Sequence, residues 1–125
     1  MSTLKVNTLE EATVGGATFY TTKAWITFNG NGTVAILESG GISSLTDIGT
    51  GEYGPNFASV MSNADYSVSG TSKDNTATNA CRAVAGASNQ TNTTSVLKVL
   101  IVPLNTSAGH VSGADASYVA LSVHI

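Results

Sequence analysis

The sequence predicts an all-β protein, a single antiparallel β-sandwich or jelly-roll-like domain of about eight short strands. Along most of its 125 residues, apolar and polar side chains alternate with a period of two, which is typical of strands that bury one face. The segments between these runs are rich in Gly, Asn, Asp and Ser, the residues that form turns. No long amphipathic helix is predicted, so the crossover connections of a parallel sheet are excluded.

The first predicted hairpin has the clearest signal. The run TFYTTKAWITF at residues 18–28 is rich in aromatic and β-branched residues, which suit a pleated and half-buried surface. The turn sequence Asn29-Gly30-Asn31-Gly32 follows, and its residues tolerate the positive φ angles of a tight turn. The run TVAILES at residues 33–39 then predicts the returning strand.

Six more strands are predicted in the rest of the chain. Their expected ranges are 42–48, 52–57, 66–71, about 80–85, 95–103 and 118–124. The run SVLKVLIVP at 95–103 is almost continuously apolar, so we expect a central strand that is buried on both faces.

The residues before the first hairpin predict little regular structure. Thr8-Leu9-Glu10-Glu11 predicts no more than one helical turn, which Gly15-Gly16 ends. We therefore divide the chain into an N-terminal segment, residues 1–17, which serves attachment or an oligomer contact, and a sandwich domain, residues 18–125.

Composition limits the classes of partner. Val, Ile, Leu and Phe make up 29 of the 125 residues, which is enough for a packed core. Five basic residues stand against eight acidic ones, for a net charge of −3, and no Lys/Arg cluster occurs. A phosphate backbone or an anionic bilayer would require such a cluster, so we expect neither nucleic acid nor a membrane as a partner. Ser, Thr and Asn supply 42 residues, which predicts a surface of hydroxyls and amides.

Motifs with known chemistry are weak in this chain. Gly49-Thr50-Gly51-Glu52-Tyr53-Gly54 has the spacing of a dinucleotide fingerprint, but no helix is predicted after it, so we interpret it as a glycine-rich turn. His110 and His124 lack further ligands at metal-binding spacing. The single cysteine, Cys81, cannot form an intrachain disulfide and is expected to be a small buried residue. We therefore predict no catalytic residue, no cofactor and no metal.

Large aromatic side chains are the remaining candidates for a functional surface. Their amphipathic rings stack on sugars or anchor protein contacts. Most side chains of this kind in a strand belong to the core, so we expect only a minority to be exposed. The candidates are Tyr20, Trp25, Tyr53, Tyr66 and Tyr118.

Residues 24–57, AWITFNGNGTVAILESGGISSLTDIGTGEYGPNF, resemble a module of tailed-bacteriophage virion proteins of the marine and cyanobacterial type, often described as tail-fibre proteins. The opening MSTLKVNTL is similar to the short segment that precedes such modules. After Ser72 the likeness is limited to small residues and strand rhythm. Pro55 departs from the pattern, because it removes a hydrogen-bond donor from a strand, and we expect a bent edge there. The shared residues mark turns and core, so the resemblance carries over no functional residue.

The resemblance implies a non-enzymatic structural protein of a phage virion, made in the host cytoplasm and released by lysis. We expect a tail or tail-fibre component that forms a homo-oligomer, with a trimer favoured, and that contacts other phage structural proteins and the polysaccharide of the host surface. Two alternatives remain open: a capsid decoration protein that stabilises the shell, and a carbohydrate-binding adhesin module. A hydrolase ranks far behind these, since no catalytic motif is present.

Overall fold

The computed structural model describes residues 2–5, 22–73, 81–86, 91–103 and 114–124. It confirms the predicted all-β sandwich. Eight strands and no helix occur in these ranges. The strands are β1 (Thr22–Asn29), β2 (Ala35–Gly40), β3 (Ile42–Gly49), β4 (Glu52–Phe57), β5 (Ser67–Lys73), β6 (Cys81–Gly86), β7 (Val99–Pro103) and β8 (Tyr118–His124).

All eight strands belong to one antiparallel ladder in the order β2-β1-β8-β5-β6-β7-β4-β3. Strands β5, β6 and β7 follow one another along the sheet, and β8 returns to lie beside β5, which is a Greek-key arrangement. In the described residues, β5 pairs with β6 at Ser72 with Arg82 and at Lys73 with Cys81. The β2-β1-β8-β5 half packs against the β6-β7-β4-β3 half through buried residues of both.

The core lies between these two halves and is built from alternate positions of their strands. The rings of Phe28 and Tyr53 meet edge to face with their centroids 4.9 Å apart, and those of Phe57 and Tyr66 do so at 5.3 Å. Such pairs add about 0.5–1.5 kcal/mol to the stabilisation from burial. The other buried members of the core are Ala24, Ile26, Leu97, Val99, Ile101, Ala116, Val119, Leu121 and Val123.

The doubly buried strand expected within 95–103 is confirmed for its apolar centre. Val99, Leu100 and Ile101 are consecutive and all buried, although their side chains point to alternate faces. β7 is also an internal strand, paired along its edges by β6 and by β4. The strand itself starts later than predicted, at Val99 rather than at residue 95.

The predicted hairpin between β1 and β2 is present, and its two glycines have different roles. Gly32 has a φ of 66°, a conformation that favours glycine. The side-chain oxygen of Asn29 accepts a hydrogen bond of 3.0 Å from the amide of Asn31. Gly30 is buried instead, and a Cβ atom there would overlap the hydroxyl of Tyr53. The turn therefore needs Gly32 for its backbone angle and Gly30 for its lack of a side chain.

The bent edge expected at Pro55 is wrong in one respect, because β4 is not an edge strand. It continues through Pro55 and lies between β7 and β3. The carbonyl of Pro55 accepts a 3.0 Å hydrogen bond from the amide of Leu97. The carbonyl and the amide of one strand residue point to the same side, so the N–H that proline lacks is missing on the side of Leu97. Regular pairing of β4 with β7 is accordingly short, limited to Glu52 with Leu100 and Tyr53 with Val99.

One buried hydroxyl connects the loops at this end of the sandwich. The hydroxyl of Tyr53 lies 2.6 Å from the carbonyl oxygen of Gly30 and 3.1 Å from Oδ1 of Asp115. The same carboxylate oxygen accepts a hydrogen bond of 2.8 Å from the amide of Gly51. The amide of Gly30 donates to the carbonyl of Ala116, also at 2.8 Å. The β1–β2 turn, the β3–β4 turn and the segment before β8 are thereby held together.

We predict that removing this hydroxyl lowers the free energy of unfolding. The Tyr53→Phe variant keeps the ring in the core but removes the hydroxyl that donates to the carbonyl of buried Gly30, which costs about 1–3 kcal/mol. Tyr118→Phe is the matched control, because Tyr118 is half-buried at the surface and its loss of a hydroxyl should change stability by less than about 0.5 kcal/mol. Urea unfolding followed by circular dichroism measures both values.

The same pair of variants gives a pH dependence. Burial raises the pKa of Tyr53, and the negative charge of Asp115 raises it further. The unfolded chain releases its tyrosine protons near pH 10, whereas folded Tyr53 keeps its proton above that pH. Its contribution to stability is therefore complete below about pH 10 and declines as the pH rises beyond it. The decline should be smaller in Tyr53→Phe than in the unaltered protein, and equal declines would contradict this assignment.

Candidate functional site

The structure separates the five aromatic candidates. Tyr53 is fully buried and Tyr66 is 7% exposed, so the prediction that these two belong to an interaction surface is wrong. Tyr53 holds the loops described above, and the hydroxyl of Tyr66 lies 3.1 Å from the carbonyls of Thr93 and Val96. Both rings point inward, and each packs edge to face against a buried phenylalanine. Tyr20 lies outside the described residues.

Trp25 and Tyr118, the other two candidates, lie on the same side of the β2-β1-β8-β5 half. Ile26 and Val119, their neighbours in sequence, point into the core, so Trp25 and Tyr118 point away from it. Trp25 is opposite Ser122, which lies four residues beyond Tyr118 along β8. The two positions are thus about 13 Å apart along the strand direction, so Trp25 and Tyr118 do not form one patch.

We define the outer face as six residues of β1, β8 and β5 that form two rows across the sheet. In the first row, Trp25 is opposite Ser122, and Ser122 is opposite Ser69. In the second row, Thr27 is opposite Ala120, and Ala120 is opposite Thr71. The six residues of the outer face are Trp25, Thr27, Ser69, Thr71, Ala120 and Ser122.

A shallow groove of about 460 Å³ runs over the outer face. Ala120 has the smallest side chain of its row and lies between Thr27 and Thr71, so it forms the floor. Trp25 is on one side of this floor and Ser69 with Thr71 on the other. The volume is within the range of about 300–1,000 Å³ that is usual for small-molecule sites, although the groove is open to solvent.

Trp25 is positioned by a glycine on the neighbouring edge strand. It pairs in register with Gly40 of β2. A Cβ atom at Gly40 would overlap Nε1 of the indole and approach Cε2 and Cδ1 at 3.0 and 3.1 Å. The pyrrole part of the indole therefore lies over the Gly40 backbone. With 40% of its surface exposed, Trp25 also lines the groove.

The serines of the first row are connected by hydrogen bonds. Oγ of Ser69 is 2.9 Å from Oγ of Ser122, and Oγ of Ser122 is 3.2 Å from Nε2 of His124. In the second row, Oγ1 of Thr27 donates a long bond of 3.4 Å to the carbonyl of Glu38. The lining thus presents hydroxyls that both donate and accept hydrogen bonds, and one of them, that of Ser122, is bonded to an imidazole.

The ring of Tyr118 contacts a lysine side chain and does not line the groove. It pairs in register with Lys73 of β5, whose Nζ lies 5.6 Å from the centroid of the ring. This distance is within the range of a cation–π contact.

The described surface has two other depressions, both smaller than the groove. One of about 350 Å³ includes Lys23, Val60 and Met61, and one of about 240 Å³ includes Tyr66, Asn92 and Lys98. In the described ranges, no group of three or more His, Cys, Asp and Glu side chains could hold a metal ion. The histidine candidate His110 lies outside these ranges.

Sequence reasoning identified Trp25 but missed the five other residues of the outer face. Small hydroxyl residues at alternate positions, Ser67, Ser69 and Thr71 in β5, are a sequence signal for a polar outward side. Only the strand order, with β8 between β1 and β5, shows that these hydroxyls lie beside Trp25.

Comparisons with known proteins add no family to these findings: no protein-family model, no curated protein and no solved structure matches the chain. Among the residues that the structure describes, there is also no helix of sufficient length and apolarity to cross a bilayer.

Proposed function

We propose that the chain is a non-enzymatic structural component of a tailed-phage virion, a tail or tail-fibre component that forms a homo-oligomer and contacts the host surface. The carrying observation is an exposed apolar edge: among the large apolar side chains that are exposed in the described residues, Ile36 and Leu37 are consecutive on the edge strand β2. The resemblance of residues 24–57 to phage virion proteins covers this strand.

The edge strand β2 has the features of a subunit contact. Among the residues that the structure describes, it is the last strand of the ladder and has β1 as its one partner strand. A β-bulge between Thr27 and Phe28 places Leu37 between the two paired positions Ile36 and Glu38, and 57% of Leu37 is exposed. Unpaired edges with apolar side chains are sites of strand addition or of association with another chain. Covering Leu37 in a subunit contact would contribute about 1.5–3 kcal/mol.

The charge of this strand favours the same proposal. Glu38 is the only charged residue among the six of β2, and the centres of protein interfaces are depleted of charge. A small domain without disulfides gains stability when identical neighbours cover its edges. A symmetric homo-oligomer, with a trimer favoured, supplies such neighbours.

We predict that a charge at Leu37 weakens the oligomer. The purified full chain should form an oligomer of defined mass, and Leu37→Lys should raise its dissociation constant at least tenfold, because the cation would have to be desolvated in the contact. Val60→Lys is the matched control, since Val60 is also apolar and 70% exposed but lies outside β2. Light scattering coupled to size-exclusion chromatography measures the masses, and circular dichroism checks that both variants fold. A monomeric parent protein, or equal dissociation constants for both variants, would contradict the proposed contact.

The proposed location is tested on particles. Antibodies raised against the purified chain should label the tail or the fibres of phage particles from cells that express it, as seen by immunogold electron microscopy. Label on the head would favour the capsid decoration alternative. Particles without label, from cells in which the chain is detected, would refute a virion role.

A further inference from the structure

We propose that the groove on the outer face is a binding site for a neutral saccharide. The inference rests on the proposed function, because it names the class of host-surface molecule that this chain contacts. In the expected complex, the indole of Trp25 packs against the C–H face of a sugar ring, and the hydroxyls of Thr27, Thr71 and the serine row bond to the sugar hydroxyls.

The aromatic part of the site is prepared before any ligand arrives. The indole of Trp25 is supported by the backbone of Gly40 and lines the groove beside the small side chain of Ala120. A flat, exposed and supported aromatic ring is a suitable surface for the apolar face of a sugar, because little side-chain freedom is lost on binding.

The polar part of the site fits hydroxyl groups. Ser and Thr side chains donate and accept hydrogen bonds, so their best complement is a ligand whose groups do the same. The hydrogen-bonded series Ser69, Ser122 and His124 holds two of these hydroxyls in place. No Lys, Arg, Asp or Glu side chain is among the described residues that line the groove. An anionic ligand would find no cation there, so the lining favours a neutral polyol.

The position of the groove argues against a peptide or a second copy of this chain. Strands β1 and β8, which carry its floor and one side, are paired on both edges: β1 lies between β2 and β8, and β8 lies between β1 and β5. Their backbone groups are therefore not available for strand addition, the mode that gives extended peptides their affinity. In the described part of the chain, β2 with Leu37 has one edge without a partner strand. A subunit contact can use this edge, so the edge and the groove can serve different partners.

Trp25 is the only tryptophan in the chain, so tryptophan fluorescence reports on this site alone. Soluble cello-, malto- and manno-oligosaccharides are titrated into the 125-residue protein, with alginate oligosaccharides as the anionic comparison. We expect a saturable change of the emission with at least one neutral series. No change with any neutral series at millimolar concentration, or a change with alginate only, would overturn the proposal.

Variants then locate the binding. Ala120→Phe fills the floor of the groove and keeps the fluorescent Trp25, and it should weaken binding at least tenfold. Thr71→Val removes one hydroxyl while keeping the β-branched shape, so it should fold as the parent does and weaken binding several-fold. Val60→Lys lies outside the groove and should bind as the parent does. Unchanged affinity in both groove variants would overturn the proposal.

A last comparison separates this inference from the proposed oligomer. The masses of Ala120→Phe and Thr71→Val are measured as for Leu37→Lys, and we expect them to equal the mass of the parent. Groove variants that dissociate the oligomer would show that the outer face is a contact between copies, which would overturn the saccharide site and leave an oligomeric virion component standing. Saccharide binding by a Leu37→Lys monomer, in contrast, would support the site independently of assembly.

Discussion

The hydroxyl of Tyr53 is the polar interaction on which the geometry of this sandwich most depends. It comes from the core side of β4 and reaches the Gly30 carbonyl and the Asp115 carboxylate, which belong to segments 23 and 62 positions away in sequence. Because the ring also packs edge to face on Phe28, one side chain joins the apolar contact between the two halves to the hydrogen bonds of their loops. A buried hydroxyl without partners would cost free energy, so the three segments and the ring require one another.

Fixing this end of the sandwich has consequences for the surface. The amide of Gly30 bonds to Ala116 just before β8, which holds the end of β1 beside the start of β8. The registers of β1 on β8 and of β8 on β5 then place Trp25, Ser122 and Ser69 in one row. The groove is therefore a consequence of pairing between strands that are distant in sequence, and its floor exists because Ala120, a small residue, stands between two threonines.

The sequence alone predicts where the strands lie, but it does not predict which residues form the outer face. Alternation and turn residues predicted the positions of all eight strands, and the apolar run through Val99, Leu100 and Ile101 predicted a strand buried on both faces. The side of a strand that faces the core is not specified by alternation when both sides carry an aromatic or apolar residue, which is why Tyr53 and Tyr66 were candidates for the surface. The outer face could not be predicted because the partners of Trp25 come from β8 and β5, and local patterns do not encode that strand order. Pro55 was misjudged for the same reason, since its strand proved to be internal.

The most direct test of this account is amide hydrogen exchange measured by NMR at the Gly30 and Gly51 amides. Both lie in connections between strands, yet they bond at 2.8 Å to Ala116 and Asp115. If the Tyr53 interaction holds the loops as part of the core, these two amides should exchange as slowly as that of Ile101 in β7, through global unfolding. Exchange as fast as that of the exposed Gly32 in the same turn would show that the loops open independently, and would contradict the account.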